Sequence, residues 1–142
     1  MHEFRNCKHR DDYAAVPALW EGIEKGVQFG RSDTAAEIAR KVAQDPDLFF
    51  VAERERKIVA TLMGGFDGRR GLLYHLAAAV SHRQQGIGQA LLTEMEARLR
   101  GKGCLKCYLL VTSDNPQALS YYQRRGWSEI TEVLLLGKEL SA

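Results

Sequence analysis

Cysteine is scarce in this chain, three residues in 142, an odd number that does not read as a disulfide framework. Long apolar runs are missing too. The longest, such as residues 76–80, reach five residues, so no stretch is long enough to span a bilayer. Neither sign of charge dominates: 20 basic residues against 18 acidic ones leave a net charge of +2. That balance gives no support for nucleic acid or an anionic membrane as partner. Residues 1–8 lack the apolar core of a signal peptide, so a cytoplasmic protein is expected. Repeats, low-complexity tracts and linker-like stretches are absent, which predicts a single domain over residues 1–142.

What is present is the composition of an ordinary soluble globular protein, 45% hydrophobic and 27% charged. Cys104-Leu105-Lys106-Cys107 has the C-x-x-C spacing of a redox or half-zinc site. No second pair and no nearby downstream histidine complete it, and Cys107 reads as a strand residue. No metal is expected.

Patterning orders the elements. Residues 3–8 read as a short strand. Asp11 or Asp12 is placed to cap a helix with Val16, Leu19, Trp20 and Ile23 on one face and Pro17 in its first turns. Past a loop bracketed by Gly26 and Gly30, Thr34 and Glu37 form a capping box for a second helix, which Asp45-Pro46 stops. Residues 48–52 and 58–63 flank a charged turn, the pattern of an antiparallel hairpin. A glycine-rich turn, residues 64–71, leads to a strand over 72–80. A helix over about 86–100 buries Ile87, Leu91, Met95 and Leu99 on one face. A strand over 105–112 follows. Asn115 as N-cap and Pro116 at the first helical position then start a last helix that ends at Gly126. Residues 127–136 read as a final extended stretch. The order β-α-α-β-β-β-α-β-α-β predicts an α/β domain with a mixed sheet.

Chemistry concentrates where the 72–80 strand meets the next helix. Arg83-Gln84-Gln85-Gly86-Ile87-Gly88 is a polar turn with two glycines one residue apart, and Gln89-Ala90-Leu91-Leu92 continues it as a helix. Glycine allows a sharp turn and a close ligand approach. The helix start offers unpaired N–H groups and the positive end of the macrodipole, so the turn suits phosphate. A dinucleotide fingerprint would need Gly or Ala at Leu91, and a P-loop would need Lys-Ser/Thr where Gln89-Ala90 stand. Neither fits.

The remaining pattern, R-x-x-G-x-G opening a helix, resembles the coenzyme A pyrophosphate loop of the GNAT N-acetyltransferases. Downstream, Asn115-Pro116-Gln117-Ala118-Leu119-Ser120-Tyr121-Tyr122-Gln123-Arg124-Arg125-Gly126-Trp127 is similar to a second signature of that family, N-x-x-A-x-x-x-Y-x-x-x-G-aromatic. Asn115, Ala118 and Tyr122 fall at i, i+3 and i+7, one face of a helix, and Tyr121 points about 100° away. Residues 65–71 also look like a hairpin turn of small bacterial members. The resemblance covers nearly the whole chain and implies a mixed sheet flanked by helices on both faces.

It implies an activity as well: transfer of an acetyl group from acetyl-CoA to a primary amine by direct attack in a ternary complex. Backbone groups of Leu76 and Ala78, with Ala77 between them, would pair with the pantetheine arm at an interruption in the fourth strand. N–H groups of Arg83, Gln84, Gln85, Gly86, Ile87 and Gly88 would hold the pyrophosphate. Asn115 and Ala118 would face the pantetheine side, and Tyr122 would sit at the thioester sulfur. Tyr122 is then the general acid and the Leu76 N–H the oxyanion donor. The acceptor would meet the first two helices with their loop, the hairpin turn and the C-terminal strands.

Three positions depart from the family pattern. Gln84 replaces a common glycine, Val80 a frequent proline, and Leu110 the glutamate that deprotonates the amine in several members. His75, a side chain with an unperturbed pKa of ~6.5, is one candidate base in its place, and proton loss through water or an amine of lower pKa is equally open. The missing glutamate also suits a different class, a non-catalytic CoA-binding sensor. The sequence leaves the acceptor and the oligomeric state open, a homodimer included.

Overall fold

A computed structural model of the protein describes residues 3–6, 10–21, 34–79 and 86–140. Its elements run β1 (Glu3–Asn6), α1 (Arg10–Glu21), α2 (Ala35–Gln44), β2 (Phe49–Arg54), β3 (Lys57–Phe66), β4 (Gly71–Ala78), α3 (Ile87–Gly101), β5 (Cys107–Leu109) and α4 (Pro116–Gln123). The five strands form one sheet in the order β1-β2-β3-β4-β5. The first three pairings are antiparallel and β4–β5 is parallel, so the sheet is mixed as expected.

Side-chain alternation along the strands splits the interior into two layers. On one face, Phe50, Ala52, Leu62 and Leu73 pack with Ile87, Leu91, Leu92, Met95 and Leu99 of α3 and with Tyr122 of α4. On the other, Phe49, Val51, Met63 and Ala77 pack with Val16 and Trp20 of α1 and with Ile38 and Val42 of α2. Trp20 stacks on Phe49 at 6.1 Å, and its indole N–H donates to the Thr61 hydroxyl at 2.9 Å. That bond satisfies a polar pair inside an apolar layer.

Local signals explain most boundaries. Thr34 accepts the Glu37 N–H with its hydroxyl and starts α2. Asn115 accepts the Ala118 N–H at 3.2 Å and starts α4, with Pro116 in its first turn. Arg98 of α3 ties the layers together. Its guanidinium donates to the Asn6 side chain at 2.6 Å and the Asp47 carbonyl at 2.8 Å, and lies over the Phe50 ring.

Three expectations are corrected. Asp12 does not cap α1, which already begins at Arg10. Instead Asp12 is buried and takes a two-pronged ion pair from Arg5, at 2.6 and 2.8 Å, that docks α1 on β1; Arg5 also pairs with Glu53. The strand expected over 105–112 shortens to Cys107–Leu109, because only those residues find ladder partners on β4. The last strand of the expected order is not formed: residues 127–140 join no sheet among the described residues, and Leu134, Leu135, Leu136 and Leu140 are exposed. Strand propensity alone makes no strand, since an extended segment needs a neighbouring edge for its backbone bonds.

The β2–β3 hairpin closes through two residues, Glu55 and Arg56, both left-handed with φ of 52° and 66°. This is the conformation of a tight hairpin turn that Asn-Gly adopts without strain and L side chains resist. Replacing Glu55-Arg56 by Asn-Gly should therefore raise stability, by on the order of 1–2 kcal/mol. Urea unfolding monitored by Trp fluorescence reads this directly, and an unchanged or lower midpoint would contradict it.

Candidate active site

The site lies where β4 and β5 part. Parallel pairing holds only for Gly71↔Cys107, Leu72↔Tyr108 and Leu73↔Leu109, with a last bond from the Leu110 N–H to the Leu73 carbonyl at 3.3 Å. Past Leu73, β4 runs on to Ala78 with β3 as its only strand neighbour among the described residues. A fork opens on its other side.

Within that stretch the β3–β4 register slips. Thr61 faces Ala77 while Met63 faces Tyr74, which sets His75 and Leu76 against Leu62 alone. Such a bulge takes one residue out of the ladder and re-aims the strand. The bulge falls at His75 and Leu76, while Ala77 and Ala78 are back in register opposite Thr61 and Ala60. Leu76 and Ala78 pack against the α3–α4 layer, whereas Ala77 turns into the opposite layer. Of His75 the structure describes the backbone position in β4.

The N-terminus of α3 closes one end of the fork. Gly86 is its N-cap, left-handed with φ 79° and ψ 5°, and among the described residues no side chain caps the helix. The first turn carries no acidic residue, so its N–H groups and positive dipole end meet no carboxylate of the helix itself. Gly88 follows inside the first turn. A Cβ there would stand 3.1 Å from the Tyr121 hydroxyl oxygen, a contact tight enough that the hydroxyl would have to give by a few tenths of an ångström. Arg83, Gln84 and Gln85 of the loop, and Val80 before it, lie outside the described residues.

α4 forms the remaining wall. Asn115 gives its side-chain oxygen to the cap, and Ala118 packs half-buried against the α3 layer. Tyr122 is buried, 8% exposed, with its ring edge-on to Tyr121 at 5.3 Å and to Trp127 at 6.5 Å. Burial pushes its phenol well above the ordinary tyrosine range, and Tyr121 adds to the shift. No hydrogen bond engages the Tyr122 hydroxyl among the described residues. Leu76, Ala78, Ile87, Ala118 and Tyr122, separate in sequence, thus meet in one cluster. Leu110, at the position of the absent glutamate, is 45% exposed.

Sequence reasoning missed two neighbours. Tyr121 faces the α3 turn, not solvent, and Arg125 covers it with its guanidinium carbon 3.5 Å from the ring centre. Their i,i+4 spacing was the available signal. The C-x-x-C pair stands apart from the fork's open end. The Cys104 thiol is buried and donates to the Lys106 carbonyl, while burial pushes the Cys107 thiol up, which disfavours its thiolate. Among the described residues no three His, Cys, Asp or Glu side chains gather as metal ligands.

Comparison with known proteins bears on this geometry. Residues 14–127 match the family model described as "Acetyltransferase (GNAT) family". An acetyltransferase of Sodalis glossinidius (strain morsitans) is 39% identical over 138 residues, covering 97% of this chain and 95% of that protein. Among solved structures, Ard1 from Thermoplasma volcanium is similar at a TM-score of 0.76 and 20% identity, over 88% of this chain and 81% of that one. A predicted acetyltransferase from Clostridium acetobutylicum, solved with acetyl-CoA, gives 0.73 at 17% identity, over 96% of each chain.

Proposed function

This chain belongs to the GNAT acetyltransferase family, and on that footing we propose that it moves the acetyl group of acetyl-CoA to a primary amine by direct attack in a ternary complex. The observation that carries the reading is the fork between β4 and β5, closed at one end by an uncapped helix N-terminus and lined by Tyr122. A thin, extended arm with an anionic end matches that shape: pantetheine along β4 like an added strand, pyrophosphate on the turn from Arg83 to Gly88. The solved acetyl-CoA complex of the Clostridium acetobutylicum protein supports this choice of donor.

The chemistry follows from the groups at hand. The amine nitrogen attacks the thioester carbonyl and the oxygen gathers negative charge. The Leu76 N–H, beside the bulge, is the donor we assign to that oxyanion. As the C–S bond breaks, the Tyr122 hydroxyl gives its proton to the departing thiolate. The attacking amine must lose a proton to something else. His75, next to Leu76 in the strand, is the residue we assign to take it, directly or through water. Asn115 and Ala118 line the pantetheine side.

The test is thiol release. Purified protein with acetyl-CoA and a panel of amines (amino acids, polyamines, aminoglycosides, peptide N-termini) should liberate free CoA in step with acetylated product. CoA binding without release from any amine would overturn transfer. It would favour the second reading, a CoA-binding sensor, for which the exposed Leu110 in place of a carboxylate is the supporting observation.

A further inference from the structure

Arg125 is an exposed cation with an unusually fixed position. One guanidinium nitrogen donates to the Tyr121 carbonyl at 3.0 Å, and the guanidinium carbon lies 3.5 Å above the Tyr121 ring centre. An arginine on a protein surface ordinarily samples many rotamers, and ordering it costs entropy. Here a backbone acceptor and an aromatic face have already removed that freedom. Among the described residues no carboxylate pairs with it.

The place to which it is fixed matters. The Tyr121 hydroxyl touches the first turn of α3 at Gly88. Tyr121 thus carries the guanidinium on its ring face and meets the start of α3 with its hydroxyl, and the first turn of that helix holds no acidic residue. Resting on the function proposed above, we infer that Arg125 is a pyrophosphate-binding residue of the donor site. In this assignment α4 does more than present Tyr122 to the sulfur. Its C-terminal end supplies a pre-oriented cation, and Tyr121 is the spacer that sets the distance between cation and turn. The guanidinium fork still has nitrogens to spare, and a phosphate oxygen is the acceptor that its planar geometry suits.

Calorimetry with two probes, CoA and dephospho-CoA, tests the assignment in the intact protein. Arg125→Gln should weaken both probes equally, by about tenfold, the scale of one charge-assisted hydrogen bond. Arg125→Lys, which keeps the charge and loses the fork and the ring stacking, should fall between wild type and Arg125→Gln. The wild-type advantage over Arg125→Gln should shrink in 0.5 M salt to about half its logarithm or less, because the contact is exposed to screening. A role confined to packing Tyr121 would shift melting temperature and leave both affinities alone, and that result overturns the inference. So does a loss seen with CoA but not with dephospho-CoA, which would move the cation to the 3′-phosphate. If wild-type protein binds neither probe, the donor reading itself fails, a result distinct from unchanged binding in the variants.

Discussion

Turnover should fall on the order of a hundredfold when Tyr122 becomes phenylalanine, with acetyl-CoA affinity nearly constant, if the hydroxyl protonates the leaving thiolate. The structure makes this substitution clean. The ring is held edge-on by Tyr121 and Trp127 in a buried cluster, and phenylalanine keeps those contacts. The hydroxyl has no hydrogen-bond partner among the described residues, so its removal orphans no neighbour there. Melting temperature should then be unchanged. A tyrosine that only fills the core predicts the opposite pattern: a stability change with turnover intact.

The same site carries a pH signature. Burial raises the Tyr122 pKa above its ordinary value, so the phenol stays protonated through the alkaline range in which free tyrosine, at about 10, begins to ionise. A general acid with a raised pKa remains loaded as pH climbs. kcat in the wild type should therefore show no alkaline decline below about pH 10 that Tyr122→Phe abolishes. Tyr121, adjacent in sequence, is a poor neutral comparison because its hydroxyl abuts Gly88 and its ring carries Arg125. Tyr121→Phe should weaken donor binding before it affects the chemical step.

Gly88→Asp should reduce CoA affinity by on the order of a hundredfold, for two additive reasons. The new Cβ would sit 3.1 Å from the Tyr121 hydroxyl oxygen, tighter than most such contacts, so that hydroxyl must give by tenths of an ångström. The new carboxylate also stands at the helix start, where it competes with phosphate for the same N–H groups and positive dipole end. Gly88→Ala separates the terms, since it brings the Cβ without the charge. We expect Ala to lose a small part of the affinity and Asp the greater part, read by calorimetry on variants with native circular dichroism. Equal losses for Ala and Asp would show that packing against α4, not phosphate, explains the glycine. Gly86 is a worse probe, because its φ of 79° strains any L side chain and unsettles the α3 cap itself.

Much of the fold was legible because local chemistry decides it. Thr34 with Glu37, Asn115-Pro116 and the glycines of the 86–88 turn each solve a backbone problem that only a few residue types solve, and each boundary lies where that chemistry puts it. The hairpin pairings of β2, β3 and β4 followed from runs of apolar residues broken by turns. What could not be read were consequences of long-range contact. Asp12 has the right type for a cap, but Arg5 reaches it from the neighbouring strand and decides its role. The length of β5 depends on how far β4 stays beside it, not on the propensity of residues 105–112. Residues 127–136 have the composition of a strand but pair with no strand among the described residues. Within the site, the motif helix and turn were evident. The contact between Tyr121 and Gly88 joins elements over 30 residues apart and leaves no trace in local pattern.

The division of the interior into two layers has a consequence for how such a protein can change. The α3–α4 layer contains the turn, Tyr122 and the wall of the fork, whereas α1 and α2 belong wholly to the layer across the sheet. If the first two helices receive the acceptor, as the family resemblance implies, then donor handling and acceptor choice are inherited as separate parts. Substitutions that reshape α1 and α2 are absorbed by Phe49, Val51, Met63 and Ala77 before they reach the thioester. A chimera carrying the first two helices of a relative would be expected to exchange its amine while keeping its coenzyme, provided that Asn6 and Asp47 are retained to receive Arg98, the bolt between the two halves.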